Sequence, residues 1–524
     1  MMPQLGDNTT ADRQYRRSAV LPRGDMKLPT HFSPLFTSAV LSLIMMACAG
    51  EAPTVPNTVD PGPSAARSRA AANDKVMVCH MSDEGPSIIE ISTVALNAHI
   101  NHGDHIAQFV VNKASDDLGD GIHFNRIGDA IAAARAVRVA RGEQESAACR
   151  ITIVVGPGTY PGSVAPSADP SFERFPLMID VPDVTLQGAF DMQIDASGRA
   201  MEVSGNGNTT ILAPSPALVS IPNFSEPLFF VNGRGDGFKG NGVVVQGFEL
   251  QSGHPGVDSQ VGGAGVQALR VSGLVVQGNR FDDRFSESVD LRASNAHVDH
   301  NHLGNGGALP LVGGTCDICL AGPGEYGAEG NRILAGGIPG ILVVPTTGLK
   351  VPAGVEDYVL PTSAIVNATL VNNEVRDHQR LPVGVGIRVG AIGVGAPSVA
   401  GLAHVEAYNN VLVNNRFAMI VEASFPMPNT LRKGDIELTL HGNVFSASCQ
   451  NNFLVSLARH TTGLGITATP YLLNSNYTLN LGGDIAWDDV WYSHPAGFGN
   501  TLTVDGTVIP NGSRNAYDAT RICS

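Results

Sequence analysis

The sequence predicts an all-β fold, a right-handed parallel β-helix solenoid with an N-terminal capping helix. Three observations point to it. The chain of 524 residues holds 60 Gly and 33 Pro and only 15% charged residues, which favours short strands and frequent turns over long surface helices. A unit of apolar strand, Asn and apolar residue recurs along the chain. An amphipathic helix precedes the first of these strands.

The recurring unit is an apolar strand followed by Asn, one variable residue and a large apolar residue, as in VVQGNRF and LTLHGNVF. Its asparagines are Asn279, Asn301, Asn331, Asn373, Asn410 and Asn443. Intervals of 22 to 42 residues suit the coils of a solenoid with loops of different length. Each Asn is expected to occupy a left-handed turn and to hydrogen-bond its counterparts above and below, forming a ladder. The apolar residue two positions later, from Phe281 to Phe445, is expected to face the core.

The predicted capping helix is residues 127–142, IGDAIAAARAVRVARG, and the strand ITIVV and the turn GPGTY follow it. This order resembles the opening of pectin-lyase-like right-handed β-helices, in which a helix covers the open end of the solenoid. The β-helix is expected over residues 118–524, with irregular coils or a cap at the C-terminal end. The resemblance implies that the sheet reached after the Asn turn and the next strand forms a polysaccharide cleft, as in pectate lyases and polygalacturonases. Their sequence motifs are absent, apart from an isolated Asp282-Asp283.

The charge balance argues against a nucleic acid partner. With 33 Lys and Arg against 48 Asp and Glu, the net charge is -15, and a chain this acidic repels phosphate backbones. Its 43% hydrophobic residues are enough to bury a core, which excludes disorder for the bulk of the chain.

The N-terminus has the pattern of a targeting segment. Residues 32–47 form an apolar run that follows several arginines, and this run is too short for a membrane-spanning helix, which needs about 20 apolar residues. Its ending I-M-M-A-C resembles the bacterial lipobox, which implies removal of residues 1–47, lipidation of Cys48 and anchoring at the outer membrane or cell surface. An ordinary secretory signal is the alternative. Residues 48–74, rich in Pro and Ala, are expected to be a mobile tether.

Residues 75–117 are expected to form a small Cys/His module. They resemble a short module of bacterial exported proteins, with a Cys-His pair and a helix ending H-x-x-H-G-D. The candidate Zn²⁺ ligands are Cys79, His80, His99 and His102, with Asp104 and His105 in reserve. In the alternative, Cys79 forms a disulfide and the histidines cap the C-terminus of the helix.

The cysteines besides Cys48 number six, which permits complete pairing in an exported chain. Sequence order favours one disulfide between Cys79 and Cys149 and another between Cys449 and Cys523. The remaining pair, Cys316 and Cys319, is expected to form a local disulfide or to join distant cysteines.

Charged residues are predicted on the outer face of the sheet that follows the Asn turn and the next strand. A gapless alignment of residues 267–283 with 289–305 puts Arg270 and Arg292 at equivalent positions, about 4.8 Å apart, where Asp290 or an anionic ligand would neutralise them. The whole predicted column is Arg270, Asp290, Arg292, Asp317, Arg388 and Glu422.

These residue types suit uronate β-elimination, in which carboxylates hold Ca²⁺ and an arginine acts as base. The candidate catalytic residues are therefore Arg270, Asp290, Arg292 and Arg388, and Glu422 is a candidate substrate-binding residue. The alternative is that these charges only solvate the solenoid and pair with one another.

A second outward column precedes the Asn turn. It contains Gln277, Asp299, Glu329, Tyr408 and His441, with His297 and Glu406 two residues earlier on their strands. Asp299 and His297 are candidate substrate-binding residues, since acid, imidazole and phenol groups on one face suit a sugar or a metal. The alternative is an ordinary solvated sheet.

Together these features predict an exported, lipid-anchored protein that binds an extracellular polysaccharide and cleaves it as a lyase or glycoside hydrolase. The alternative is a non-catalytic structural or adhesion protein of the cell surface.

Overall fold

A computed structural model describes most of the chain from Lys75 onward, within one compact unit, Pro63–Ser524. The described residues are 75–113, 119–142, 149–163, 172–201, 208–212, 227–233, 240–251, 263–281, 285, 287–304, 316–334, 339–345, 363–379, 384–391, 400–422, 433–446, 451–456, 458–461, 465–470, 474–494 and 496–514. The predicted signal, Cys48, the tether and the pair Cys449 and Cys523 lie outside them. No helix among the described residues is long and apolar enough to cross a membrane.

Three long sheets form the body. Sheet 1 has 14 strands, in spatial order Thr507–Val508, Thr501–Val504, Asn476–Asn480, Gly434–His441, Ala400–Tyr408, Ser363–Val371, Gly324–Glu329, Asn295–Asp299, Ser272–Gln277, Val244–Gln246, Val184–Gln187, Ile151–Val155, Gln108–Val111 and His123–Phe124. Its strands are parallel except for the last hairpin, Thr501–Val504 with Thr507–Val508. Because Gln108–Val111 already belongs to this sheet, the solenoid sheet begins before residue 118, the expected start of the β-helix.

Sheets 2 and 3 have 10 strands each and are parallel throughout. Sheet 2 consists of Val444–Ser446, Val411–Val413, Glu374–Arg376, Arg332–Leu334, His302–Leu303, Arg280–Phe281, Glu249–Gln251, Thr209–Leu212, Gly158–Ser163 and Glu173–Arg174. Sheet 3 consists of Val490–Ser493, Asn451–Ser456, Phe417–Glu422, Val385–Gly390, Ile341–Val344, Ile318–Ala321, Glu287–Arg292, Ala264–Leu269, Phe229–Asn232 and Leu177–Ile179. A separate antiparallel hairpin joins Ala458–Thr461 and Gly465–Pro470.

The chain passes from sheet 1 to sheet 2 to sheet 3 and then starts the next coil, so each strand pairs with the equivalent strand of its neighbours. Inward side chains stack in columns, for example Val266, Val289, Ile318, Ile341 and Ile387 in sheet 3, all buried. Since these columns join into one apolar core, the predicted right-handed parallel β-helix is confirmed. Leu291, two residues after Val289 on the same strand, is also fully buried.

The predicted capping helix is the α-helix Ile127–Ala140. It buries Ile127, Ile131 and small residues between them against the first strands of the three sheets. The helix has no side-chain cap of its own, so the buried carboxylate of Glu173 accepts hydrogen bonds from Ile127 N and Gly128 N, at 2.6 and 3.1 Å. At the other end, the buried Arg138 donates to the Cys149 carbonyl at 3.1 Å.

The N-terminal module is a three-stranded antiparallel sheet of Lys75–Ser82, Gly85–Ser92 and His105–Ile106. A 3-10 turn, Thr93–Ala95, and the α-helix Leu96–Asn101 connect the last two strands. Ser92 caps this turn by accepting a hydrogen bond from Val94 N. The Cys79–Cys149 disulfide is confirmed, and it ties the module to the residue that precedes strand Ile151–Val155 by two positions.

The predicted asparagine ladder runs through the corner between sheets 1 and 2. In each step the Oδ1 of one Asn accepts both the backbone N–H and the Nδ2–H of the Asn one coil before, at 3.0 and 3.1 Å from Asn279 to Asn301. The Nδ2 of Asn301 also donates to the Val276 carbonyl at 2.8 Å. The ladder continues through Asn331, Asn373 and Asn410 to Asn443. It ends at Asp484, whose Oδ2 accepts from Asn443 N at 2.8 Å and Nδ2 at 2.7 Å.

The prediction that the ladder Asn itself adopts the left-handed conformation is wrong by one residue. The positive φ belongs to the residue just before it, which is Gly278, His300, Gly330, Asn372, Asn409 or Gly442. That turn leads the chain from sheet 1 into sheet 2. The Asn after it directs its amide inward, where water cannot reach it, and the neighbouring Asn supplies the hydrogen bonds instead.

The C-terminal region continues the solenoid rather than leaving it. Asn476–Asn480 and Thr501–Val504 extend sheet 1, and Val490–Ser493 extends sheet 3. A 3-10 turn, Trp487–Asp489, lies between them. The expected irregularity is also present in the described residues, as the antiparallel hairpin of Ala458–Thr461 with Gly465–Pro470 and the antiparallel strand Thr507–Val508.

Residues 190–201, which we call the strap, run along the ridge of left-handed turns. Donors in the strap satisfy turn carbonyls of several coils. The donors are Phe190, Ala200 and Arg199, and the acceptors are Gly247, Gly330, Asn372 and Asn409. Arg332 holds the strap from sheet 2 through Asp195, at 2.9 Å. The strap therefore covers one edge of the outer face of sheet 1.

Candidate functional site

The outer face of sheet 3 carries the charged residues that the sequence singled out, but they are paired and buried. Asp290 accepts two hydrogen bonds from Arg292 Nε, at 2.7 and 2.8 Å, and one from Gln267 Nε2 at 2.8 Å. All three residues are buried. Of the two ways to neutralise Arg292, the structure uses Asp290.

The environment of Arg292 does not suit a base. Burial disfavours its charge, but the charge of Asp290 and its hydrogen bond outweigh burial and raise the pKa of Arg292 above its ordinary value. A guanidinium held this firmly in its protonated form cannot accept a proton from a substrate.

A second ion pair, Arg388 with Glu422, lies further along the same face and is also buried. Three strand steps separate Asp290 from Arg388, about 14 Å along the solenoid. Cys319 and Leu342 occupy the positions between them. The predicted catalytic residues therefore do not meet in one centre, and two of the three carboxylates in the predicted column, Asp290 and Glu422, are each held by an arginine.

The predicted stacking of Arg270 on Arg292 is wrong. Leu269 pairs with Arg292, and Arg270 is exposed in the following turn with φ 56°. The cause is a β-bulge between Ser272 and Leu274, which adds one residue to this coil and shifts the register on its sheet 3 side. A gapless alignment is correct only beyond the bulge, where Gln277 pairs with Asp299.

Asp317, predicted to point outward, is buried in the corner between sheets 2 and 3. Its carboxylate lies 3.7 Å from Nε2 of the buried His378. A Cβ on Gly340, the equivalent residue one coil on, would meet the core residue Val375, so this position faces inward at the bend. Burial raises the pKa of Asp317 well above its ordinary value. Sequence reasoning did not predict this pair, because its two residues lie in different coils.

Most of the other outward residues of sheet 3 that are described either form a disulfide or are apolar. Cys316 and Cys319 form the local disulfide that was one of the two expected arrangements. Beyond the Arg388 pair the outward positions become Ile420, Leu454 and Trp491, which form a small buried cluster. In the described residues this face therefore offers few accessible polar groups.

The outer face of sheet 1, in contrast, is open to solvent. Its exposed or half-buried polar residues are Asn295, His297, Asp299, Glu325, Glu329, Asn367, His404, Glu406, Tyr408, Glu437 and His441. They stand in register on five successive strands, from Asn295–Asp299 to Gly434–His441. We call this set the sheet 1 file. It includes His297 and Asp299, two of the predicted substrate-binding residues, whereas Glu422 lies on the other face.

One end of the sheet 1 file is built around Asp299 and His297. Ala200 of the strap donates its backbone N–H to the carbonyl of Gly330, the turn residue next to Glu329, at 2.8 Å. Burial, and to a smaller degree the neighbouring charge of Glu329, raise the pKa of Asp299 to about 7. This carboxyl is therefore about half protonated at neutral pH, as a general acid requires.

His297 lies flat on the next strand. A Cβ on Gly327 would come within 2.4 Å of its Nδ1, so only glycine leaves room for the imidazole there. The ring is thereby held on the exposed surface, on the same strand as Asp299.

The other end of the sheet 1 file is a hydrogen-bonded cluster. Tyr408 donates to Glu406 at 3.0 Å, and His404 Nδ1 lies 3.0 Å from Glu437. The ring of His441 stands edge-on to Tyr408, with centroids 6.5 Å apart. Burial is the largest cause that raises the pKa of Tyr408. The hydrogen bond to Glu406 and the negative charge of that residue raise it further. Its phenol therefore stays neutral, and its ring is available for stacking.

The predicted zinc set is only partly assembled. Cys79 is bonded to Cys149, and His102 lies outside the group of possible ligands that the module brings together. That group consists of His80, His99 and Asp104. Asp104 was predicted only as a reserve ligand at the end of the H-x-x-H-G-D segment, and its contact with His80 depends on the strand pairing.

The charge of Asp104 is strongly held. Although burial opposes it, hydrogen bonds from His80, Met81 N–H and His99 lower the pKa of Asp104 to about 2. The carboxylate is therefore ionised at any physiological pH.

Comparison with known proteins places the chain near no characterised family. No family model matches it, and no curated protein matches its sequence. Among solved structures, it is similar to the A-module of mannuronan C-5 epimerase AlgE4 from Azotobacter vinelandii, with 14% identity over 71% of this chain and 90% of that one, at a TM-score of 0.34. It is also similar to DFA-IIIase from Arthrobacter chlorophenolicus A6 without its lid, with 12% identity over 80% and 96% of the two chains, at a TM-score of 0.38. TM-scores below 0.5 transfer no activity to this chain.

The two arginines give a test of the sheet 3 register. We expect Arg292→Ala to destabilise the protein by about 3–5 kcal/mol, because it leaves Asp290 buried without its partner. Arg270→Ala, in an exposed turn, should leave the melting temperature nearly unchanged. Urea unfolding of both variants checks this, and equal effects would contradict the register.

The raised pKa of Asp299 predicts a dependence of stability on pH. The folded state holds its proton up to about pH 7, while the unfolded carboxyl loses it near pH 4, so stability falls as the pH rises through this window. We expect Asp299→Asn to be more stable than wild type by about 1–3 kcal/mol at pH 8, with a smaller difference at pH 5. The matched control is Asp191→Asn, an exposed carboxylate. Parallel pH profiles of wild type and Asp299→Asn would disprove the assignment.

Proposed function

We propose that this β-helix binds an extracellular polysaccharide along the outer face of sheet 1. The observation that carries the proposal is the sheet 1 file, in which polar and aromatic side chains stand in register on five strands, about 19 Å along the solenoid axis. A solenoid presents such a surface at constant spacing, which suits a linear polymer. The sheet 3 face, whose charges are paired and buried, lacks this property among the described residues.

The charge of the sheet 1 file favours a neutral sugar chain over a polyuronate. Its carboxylates are Asp299, Glu325, Glu329, Glu406 and Glu437. Carboxylates accept hydrogen bonds from sugar hydroxyls but repel uronate groups, and the chain as a whole is acidic. The ring of Tyr408 adds a surface on which a pyranose can stack.

If the protein also cleaves its ligand, the residues favour hydrolysis over elimination. Arg292 is held protonated, and the Ca²⁺ carboxylates Asp290 and Glu422 are already paired. Asp299, with its raised pKa, has the property of a general acid, and Glu329 on the adjacent strand supplies a second carboxylate. The proposed reaction is therefore glycoside hydrolysis: Asp299 protonates the leaving oxygen as the glycosidic bond breaks, and Glu329 takes a proton from the water that attacks the anomeric carbon.

A binding titration with soluble polysaccharides tests the proposal. We expect measurable affinity for a neutral glycan and weaker affinity for pectate, alginate or glycosaminoglycans. Tyr408→Ala and Glu329→Gln should each weaken binding about tenfold. Val444→Ala, at an exposed position of sheet 2, is the matched control and should bind as wild type does.

Product analysis of the same mixtures separates the functional classes. Reducing ends that appear with wild type but not with Asp299→Asn support hydrolysis, whereas binding without products identifies a non-catalytic surface protein. Absence of binding to every glycan, or equal loss in the Val444→Ala control, would refute the sheet 1 surface.

We also propose that the protein is exported and anchored through a lipid on Cys48. The lipobox-like sequence supports this, and so do the Cys79–Cys149 and Cys316–Cys319 disulfides, because such bonds persist in oxidising compartments. In a bacterial host fed a clickable fatty acid, wild type should be labelled and found in the membrane fraction. Cys48→Ser should lose both properties, and an unlabelled wild type would contradict the anchor.

A further inference from the structure

The N-terminal module brings three metal-binding side chains together from separate elements. His80 lies on strand Lys75–Ser82, His99 on the helix Leu96–Asn101, and Asp104 in the turn after that helix. Both imidazole Nδ1 atoms face the same carboxylate oxygen, Oδ2 of Asp104, at 2.9 Å from His80 and 2.6 Å from His99. The three ligand atoms all lie within 4.8 Å of one another.

From this geometry we propose that His80, His99 and Asp104 form a site for one divalent cation of the Zn²⁺ type. Two imidazole nitrogens and one carboxylate oxygen are a ligand set that zinc accepts, with water completing the shell. The set differs from the one that the sequence suggested, since Cys79 is in a disulfide and His102 is replaced by Asp104.

Backbone hydrogen bonds and strand pairing hold the three ligand residues in position. Oδ1 of Asp104 accepts from Met81 N at 2.9 Å, which fixes the carboxylate and leaves Oδ2 for the imidazoles. Asp104 N donates to the His99 carbonyl at 3.1 Å, and Gly103, with φ 97°, makes the tight turn between them. His80 is held by the pairing of its strand with Gly85–Ser92.

The degree of exposure suits an ion with open coordination positions. The side chain of Asp104 is 1% exposed, while those of His80 and His99 are 38% and 26% exposed. The rings meet edge to face with centroids 5.8 Å apart, so their Nδ1 atoms converge without stacking. Tetrahedral zinc at about 2.0–2.1 Å from each ligand needs ligand atoms roughly 3.3 Å apart, which small outward movements of the two exposed rings supply.

Without a cation, the same three groups form a hydrogen-bonded cluster in which both imidazoles donate to Asp104. A bound ion takes the place of the Nδ1 protons: a neutral imidazole then carries its single proton on Nε2, and an imidazolium keeps its Nε2 proton and releases the Nδ1 proton to solvent. Because the ion would link a strand to a helix terminus, its binding should stabilise the fold by an amount that grows with the logarithm of its concentration over its Kd.

The test uses the purified chain, stripped with EDTA, exchanged into buffer without chelator or reductant, and titrated with Zn²⁺ alone. Leaving out the reductant keeps the Cys79–Cys149 bond closed, so that thiolates do not bind the metal. We expect one Zn²⁺ per chain by calorimetry and a higher melting temperature with the ion. His99→Ala and Asp104→Asn should each weaken this binding at least about tenfold.

The matched control is His102→Ala, which removes an exposed histidine three residues from His99 on the same turn of chain. It should keep full affinity and the full rise in melting temperature. The proposal is overturned if wild type binds no Zn²⁺, if His99→Ala binds as wild type does, or if His102→Ala loses the ion to the same extent as His99→Ala. The comparison of melting temperatures without metal shows whether a variant is folded before its affinity is interpreted.

Discussion

The asparagine ladder is the interaction on which the rest of the solenoid depends. A corner between two sheets leaves backbone groups that no strand partner can reach, and burial makes each of them costly. The ladder side chains solve this by bonding one coil to the next, from Asn279 through to Asp484. A carboxylate suits the last position, because it can accept three N–H groups and needs no further acceptor beyond it.

By fixing the corner, the ladder also fixes which side chains point outward in neighbouring coils. The consequence differs between the two outer faces. On sheet 3 the outward charges meet as ion pairs, so Asp290 and Arg388 are used within the protein. On sheet 1 the outward residues stay accessible and form a surface of constant spacing. The outer face of sheet 1 therefore has accessible polar side chains that a ligand can contact, whereas the outward charges of sheet 3 bind one another.

The capping helix and the N-terminal module both lie where the repeating coils begin. The helix Ile127–Ala140 closes the N-terminal end, and Glu173 supplies the carboxylate that its first N–H groups lack. The disulfide at Cys149 attaches a small antiparallel sheet, whose own apolar cluster contains few buried residues. A domain of this size gains much from cross-links, which gives a physical role to a bound ion beside the disulfide.

The sequence alone determined the repeat and the capping helix, because periodicity and local apolar pattern are properties of short segments. The Cys79–Cys149 pair was predicted from the order of the cysteines and is 70 residues apart in the chain. The sequence also placed Asp299 and His297 together, since both precede one ladder Asn on the same strand. Only the tertiary structure decided the pairing of Arg292 with Asp290, the inward turn of Asp317 and the meeting of His80 with Asp104. Arg292 meets Asp290 and not Arg270 because a one-residue bulge moves Arg270 into a turn, and Asp317 turns inward at a bend. Neither feature alters the apolar pattern. The third joins residues from a strand and a helical turn that sequence spacing cannot relate.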